Sequence, residues 1–313
     1  MHDFVIIPDT SCDLNAELRE RFDIPDYIHG MLYYPDGHCE PSDLDWQQMT
    51  PEFYYNSMKG RNILYRTSTP LVGETTEVFE KYLAAGKDVL SISLSSGLSA
   101  SYSQCVSVAN DLREKYPERK IICVDSKRYS TSLALLVISA CIKRSEGMSI
   151  EEVAAYIENE RDYVHQMGPM DDLFFLVKTG RVNNFKAFFG SMIGLNLVAD
   201  FNDKGMAEVL GKFKGKVTAL NATVKYVEKT IVNPEEQIIF VAHTNREQAA
   251  QKLAEMIREK FNPKEIIIQP VGMACGATIG PGLCAVFYKG TKISEGLASE
   301  RAIMDEIIAE LKA

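Results

Sequence analysis

The chain has 313 residues, 46% of them hydrophobic and 25% charged, and carries 34 Lys and Arg against 43 Asp and Glu for a net charge of −9. That length suits about two domains, the composition is that of an ordinary globular protein, and an acidic chain without a basic stripe excludes nucleic acid or an anionic membrane surface as its main partner. Seven cysteines (Cys12, Cys39, Cys105, Cys123, Cys141, Cys275 and Cys284) form no Cys-x-x-Cys pair, the start MHDFVIIPDTS has no basic leader, and no apolar run approaches a membrane span, so the sequence reads as a cytoplasmic protein of a reducing compartment.

In chain order, residues 4–8 read as a strand ending at DTSCDL (9–14), 16–22 as a short helix, 27–34 as extended with a turn at 35–37, and 51–60 as a helix. RTSTP (66–70) reads as a loop, 74–85 as an amphipathic helix, 89–94 as a strand, 100–115 as a helix, 121–125 as a strand and 129–146 as an apolar helix. Continuous apolar strands alternating with helices predict a mostly parallel sheet covered on both faces, hence an α/β domain.

After Gly147 the pattern restarts, and the domain junction is placed there, giving domains 1–148 and 149–313. The second half reads as a helix at 150–166, a strand at 173–177 ending in KTGR, an apolar segment at 185–198 and a hairpin turned by NDKG (202–205). It continues as a helix at 216–231, a strand at 238–243, a helix at 246–261 and a strand at 266–271. The loop GATIGPG (276–282), a strand at 283–288 and an amphipathic helix at 301–311 complete it. The expected fold is two tightly packed α/β domains, the first with a mostly parallel sheet and the second with a mixed sheet containing the hairpin.

In open α/β sheets the functional loops lie beyond the carboxyl ends of the strands, and those loops here carry DTS, SSGLS, VDS, KTGR and GATIGPG. SSGLS (95–99) places hydroxyls and unpaired amides at the start of a helix, where dipole and orphan donors favour an anion; an equal reading is that Ser99 only caps that helix. Asp9, Ser11, Asp125 and Ser126 read first as turn and cap residues. Thr67 and Ser68 are donors before a stiffening proline. None of the five histidines lies in a glycine-rich loop and SSGLS is not a G-x-S-x-G elbow, which leaves serine catalysis without support. No metal-ligand spacing and no nucleotide-binding glycine pattern is present. In GATIGPG, Pro281 removes a donor, so Gly276, Gly280 and Gly282 read as a turn that lets backbone approach a ligand.

Taken together and in order, DTSCDL, TSTP (67–70), SSGLSASYSQ (95–104), VDS (124–126), FLVKTGRV (175–182) and G-x-x-x-G-P-G (276–282) resemble the DegV family of fatty-acid-binding proteins, which includes the FakB carriers of bacterial fatty acid kinase. The resemblance implies a two-domain α/β lipid-binding protein, not an enzyme. It would have no cofactor or metal and would hold one long-chain fatty acid of about C14–C18. It further implies that the carboxylate is bound by Thr67 and Ser99, with Ser68, Ser95, Ser96 and Thr278 nearby, and that Arg181 serves a partner kinase or phosphoryl transfer. Phospholipid metabolism and a transient membrane contact follow from the same resemblance. Two positions depart from the family pattern: Thr278 stands where a histidine is usual, and Thr179 replaces the first glycine of the usual GGR. Phe185, Phe188, Phe189, Met192, Ile193, Leu195 and Leu197 are candidates for a tail channel or for plain core. The reading of a different class is a phosphoryl- or acyl-transfer enzyme using the DTS aspartate or the SSGLS serines; the missing base, metal ligands and nucleotide loop favour the carrier.

Overall fold

The computed structural model describes residues 3–182 and 194–312. It divides into two compact units: Met1–Gln48, Leu64–Arg161 and Gly272–Cys275 form the first, and Met49–Ile63, Asp162–Val271 and Gly276–Ala313 the second. The units therefore do not follow one cut at 148/149; residues 49–63 and 272–275 each pack with the unit that does not flank them in sequence.

In the first unit, strands β1 (Phe4–Pro8), β5 (Asp88–Ser93) and β6 (Ile121–Asp125) form a parallel sheet in the order β1-β5-β6. Every residue of β1 and β5 is buried, as expected of strands covered on both faces. Helices α1 (Ala16–Arg21), α3 (Val72–Ala84), α4 (Ser101–Lys115), α5 (Thr131–Ser145) and α6 (Ile150–Glu160) belong to this unit. Phe79 and Leu83 of α3 and Cys105, Val108 and Leu112 of α4 pack with Val5, Ile7 and Val89 in one core. The start of α6 is a capping box, in which Glu152 N–H donates to Ser149 Oγ at 3.3 Å and Ser149 N–H to Glu152 Oε2 at 2.7 Å. A second, antiparallel sheet joins β3 (Cys39–Pro41), β2 (Met31–Tyr33) and β4 (Arg66–Ser68). The expected loop at RTSTP is thus a strand for its first three residues, with Leu32 opposite Thr67, a tertiary pairing that local residue type does not announce.

The second unit holds a six-stranded mixed sheet in the order β11 (Glu265–Pro270), β10 (Ile238–His243), β12 (Cys284–Lys289), β7 (Val164–Met170), β8 (Leu195–Phe201), β9 (Ala207–Lys214). Helices α2 (Pro51–Met58), α7 (Phe174–Thr179), α8 (Lys216–Thr230), α9 (Glu247–Phe261) and α11 (Ala298–Glu310) accompany it, and the division between units falls inside α10 (Met273–Ile279). The hairpin β8–β9 turns at NDKG as expected, with Asn202 Oδ1 accepting the Lys204 and Met206 N–H groups. The terminal helix α11 lies on α8 and β9 and buries Met304 and Ile307 in the same core as Tyr226, Val241 and Val286.

Three sequence expectations fail here for identifiable reasons. Residues 164–170 were expected partly as helix and are strand β7. Pro169 tolerates a strand because the ladder to β12 runs over 164–167 and Pro169 lies beyond it, in the ladder to β8 over 168–170. Gly168 is required there, since a Cβ would meet Cys284 O at 2.2 Å. Residues 173–177 are not a strand but part of helix α7: Asp172 Oδ1 accepts the Phe174 N–H at 2.9 Å, and Gly180 closes the helix at φ 72°. So short an apolar run carries no decisive period. Residues 276–279 of GATIGPG belong to helix α10, which ends where Gly280 adopts φ +74°.

The core of the second unit contains a polar knot. His165 and Asp200 are both fully buried, with Nδ1 to Oδ2 at 2.7 Å; the other ring nitrogen faces Thr291 O at 2.8 Å, and Tyr226 OH donates to Asp200 at 3.0 Å. A buried pair of this kind is costly to break from one side. Asp200→Ala is expected to lower stability by about 3–5 kcal/mol, read as a lower urea midpoint.

Candidate functional site

The three parallel strands of the first unit end on one edge, and the segments that leave them assemble the site. Asp9, directly after β1, is buried; its Oδ1 accepts Ser11 N–H at 2.8 Å and its Oδ2 accepts Leu94 N–H at 2.9 Å, so it ties the DTS turn to the exit of β5. Burial raises the Asp9 pKa against these hydrogen bonds. After β5 the loop turns at Ser95, whose carbonyl accepts the N–H groups of Leu98 and Ser99. Ser95 itself is fully buried, and its Oγ accepts Gly97 N–H at 3.1 Å.

The cap of α4 is Ala100, with no side-chain cap. Ser99 Oγ accepts Ser101 N–H at 3.2 Å and lies 2.9 Å from Ser101 Oγ, which satisfies one amide of the helix entrance and leaves the other first-turn amides without an intrahelical carbonyl. Ser99 thus precedes the cap position and bonds the first amide of the helix, without being the cap residue itself. The TSTP segment is tied to the same helix by one contact: Gln104 of α4 donates to Pro70 O at 2.6 Å. Gly30 leaves no room for a Cβ between Thr10 and this segment, since one would lie 3.2 Å from Thr10 Oγ1 and 3.3 Å from Ser68 O. The Thr67 hydroxyl makes no hydrogen bond among the described residues, whereas Ser68, exposed, donates to Thr69 O. Ser96 is differently employed: its Oγ donates to Asp125 Oδ2 at 2.6 Å and its N–H to Asp125 Oδ1 at 3.0 Å.

Behind this loop cluster lies a group to which sequence reading assigned only a turn role. Asp13, buried and at φ 54°, accepts the Ser130 hydroxyl and the Gly272 N–H, and Cys275 Sγ adjoins it. Tyr129 OH donates to Cys275 O at 3.0 Å. The only advance signal was the spacing of two aspartates in DTSCDL; Gln104 and Thr10 had none beyond membership of the quoted motifs.

In the second unit, Thr278 is buried on α10. Gly280 is irreplaceable there, because Phe175 Cδ2 stands 2.0 Å from the place a Cβ would take. Gly282, at φ +112°, leaves its N–H on Thr244 O at 3.0 Å and its carbonyl to Arg246 Nη1 at 3.1 Å. Arg181 does not end a strand as expected. It follows the αL glycine that closes α7, half-buried, with Nη1 on Thr179 O. Of the tail-channel candidates, Leu195 and Leu197 lie on β8, while Phe185, Phe188, Phe189, Met192 and Ile193 lie outside the described residues.

Among the described residues no three His, Cys, Asp or Glu side chains are grouped to hold a metal, and no helix is long and apolar enough to cross a membrane. A parallel sheet in one unit, with hydroxyl-rich, amide-bearing loops along its carboxyl edge, and a mixed six-stranded sheet in the other define an α/β protein. Residues 3–290 match the family described as "Uncharacterised protein, DegV family". The chain belongs to the DegV family. A DegV domain-containing protein of Clostridium perfringens is 33% identical over 290 residues, 93% of this chain and 98% of that one. The crystal structure of a DegV lipid binding protein from Thermotoga maritima is similar with a TM-score of 0.79 at 23% identity, over 93% of this chain and 99% of that one. A DegV family protein from Thermus thermophilus, whose structure is described by its fatty acid binding, is similar with a TM-score of 0.82 at 22% identity, over 92% of this chain and 100% of that one.

The Asp13 carboxyl is raised from 3.8 to about 7 by burial, against hydrogen bonds from Ser130, Gly272 and Cys275. A raised folded-state value means the native state holds a proton that the unfolded chain releases, so this group's contribution to stability is full below about pH 4 and is lost as the pH rises to about 7. Asp13→Asn is expected to remove that decline, so that urea midpoints of wild type and variant converge at low pH and separate, in the variant's favour, across this window.

Proposed function

We propose that this protein is a non-catalytic carrier that buries one long-chain fatty acid of about C14–C18 and presents its carboxyl group. The observation that carries the reading is the start of α4 in the first unit, where Ser95 and Ser99 stand at the entrance, Ala100 supplies no side-chain cap, and Gln104 holds Pro70 of the segment that carries Thr67. This is a set of neutral donors that can meet a carboxylate or the protonated acid without a fixed cation. Family membership and the fatty-acid binding named for the Thermus relative support it. Burying some fourteen methylenes is worth about 11 kcal/mol gross at ~0.8 kcal/mol each, enough to outlast the costs of association.

In the finer form of this reading, the carboxyl group is offered to a fatty acid kinase for acyl-phosphate formation, with Arg181 facing that partner. The seven thiols, all free, suit work in the cytoplasm. Thr278, in place of the family's usual histidine, leaves the head group more dependent on hydroxyl donors.

Native mass spectrometry of the purified protein, followed by denaturation and lipid extraction, is expected to release one C14–C18 acid per chain. A polar metabolite, or a protein still empty after addition of oleic acid, would overturn the reading. Ser99→Ala is expected to keep the fold and weaken oleic acid binding roughly three- to tenfold, the loss of one neutral hydrogen bond, as measured by titration calorimetry.

A further inference from the structure

We propose that Asp125 is a positioning residue for the hydroxyl loop, holding residues 95–99 in the geometry that meets the head group; the inference rests on the fatty-acid reading. The loop between β5 and α4 has little of its own to hold it. Ser96, Gly97 and Ala100 are exposed, and only Leu94 and Leu98 of its apolar side chains are buried. Two carboxylates restrain it instead. Asp9 takes the Leu94 N–H at its entrance.

Asp125, at the end of β6, spends both oxygens on one residue: Oδ2 takes the Ser96 hydroxyl at 2.6 Å and Oδ1 the Ser96 N–H at 3.0 Å. The same Oδ1 takes the Lys127 N–H at 3.0 Å, so the carboxylate bridges the turns that leave β5 and β6. The Asp125 carbonyl is in turn held by Arg161 Nη1 at 2.6 Å, which anchors the clamp from behind. Charge-assisted bonds of this kind are shorter and stronger than neutral ones.

The chemistry also says why Asp125 acts through Ser96 and not on the ligand. A carboxylate touching a carboxylate head group would repel it, and the Ser96 hydroxyl proton is already committed to Asp125. Head-group contact is left to Ser95, Ser99 and the entrance of α4, whose placement depends on where Ser96 is pinned. Asparagine of the same shape keeps one oxygen for the Ser96 and Lys127 N–H groups but turns the other position into a donor, so the Ser96 hydroxyl no longer donates to a charged oxygen and the charge-assisted half of the clamp is lost.

The test is a double-mutant cycle read in oleic acid affinity and dissociation rate. Asp125→Asn is expected to bind about tenfold more weakly, the loss of one charge-assisted hydrogen bond, mainly through faster dissociation. In a Ser96→Ala background the same substitution is expected to add less than about twofold, because the hydroxyl is gone and the backbone N–H that remains is still accepted by the asparagine oxygen. Equal losses in both backgrounds would mean that the Asp125 side chain acts through Lys127 and not through Ser96, and would overturn the inference, as would unchanged affinity in Asp125→Asn. Should Asp125→Asn not fold, Ser96→Ala decides, since this exposed residue tolerates the change; unchanged affinity there also overturns the proposal. A wild-type chain that does not bind oleic acid instead overturns the carrier reading on which the inference stands.

Discussion

Strand β5 is buried over its whole length between β1 and β6, and because all three run parallel, every segment that leaves their carboxyl ends emerges along one edge. No side chain inside such a sheet can reach a ligand, so the chemistry is confined to the exits: Asp9 after β1, residues 94–99 after β5, and Asp125 with Ser126 after β6. The rest of the first unit follows from this constraint. Helices α3 and α4 cover the sheet with Phe79, Val108 and Leu112, and the entrance of α4 is thereby delivered to the same edge as the three exits.

What the exits then do is a matter of hydrogen-bond accounting. Carboxylates at this edge accept from backbone amides and hydroxyls: Asp9 from Ser11 and Leu94, Asp125 from Ser96 and Lys127, Asp13 from Ser130. They are the frame of the site. Under the proposed carrier reading the neutral hydroxyls of Thr67 and Ser99 meet the head group, and such donors tolerate it in either protonation state. The second unit solves a different problem with the same means, holding His165, Asp200 and Tyr226 in a closed buried network that gives its sheet polar specificity without offering anything to solvent.

Much of the fold was legible before any coordinates. The parallel strands at 4–8, 88–93 and 121–125, the long helices and the NDKG hairpin all carry strong local signals: continuous apolar runs, amphipathic period and turn residues. The failures cluster where those signals are weak or contradictory. Pro169 and Gly168 read against a strand, yet Gly168 is the residue that lets β7 approach Cys284, and Pro169 sits where one ladder has ended. Residues 173–177 are too few to show a period, and Asp172 and Gly180 made them a helix. The excursions of 49–63 and 272–275 into other units have no local signature at all, because they depend on contacts such as Cys275 with Ser11 and Tyr55 with Val271, far apart in the chain.

For the candidate site, the motifs named segments that leave the strands of the parallel sheet but not the division of labour within them. Residue type alone determined that hydroxyls, small residues and an aspartate stand at the ends of apolar strands, since strand period and cap preference are properties of a few neighbouring residues. Only the tertiary structure decided that Ser96 is bound to Asp125 while the Thr67 hydroxyl has no partner among the described residues, that Gln104 draws Pro70 to the start of α4, and that Asp9 and Asp13 are buried. Hydrogen-bond partners 29 to 117 residues apart set these roles, and no local rule specifies which donor such a carboxylate will meet.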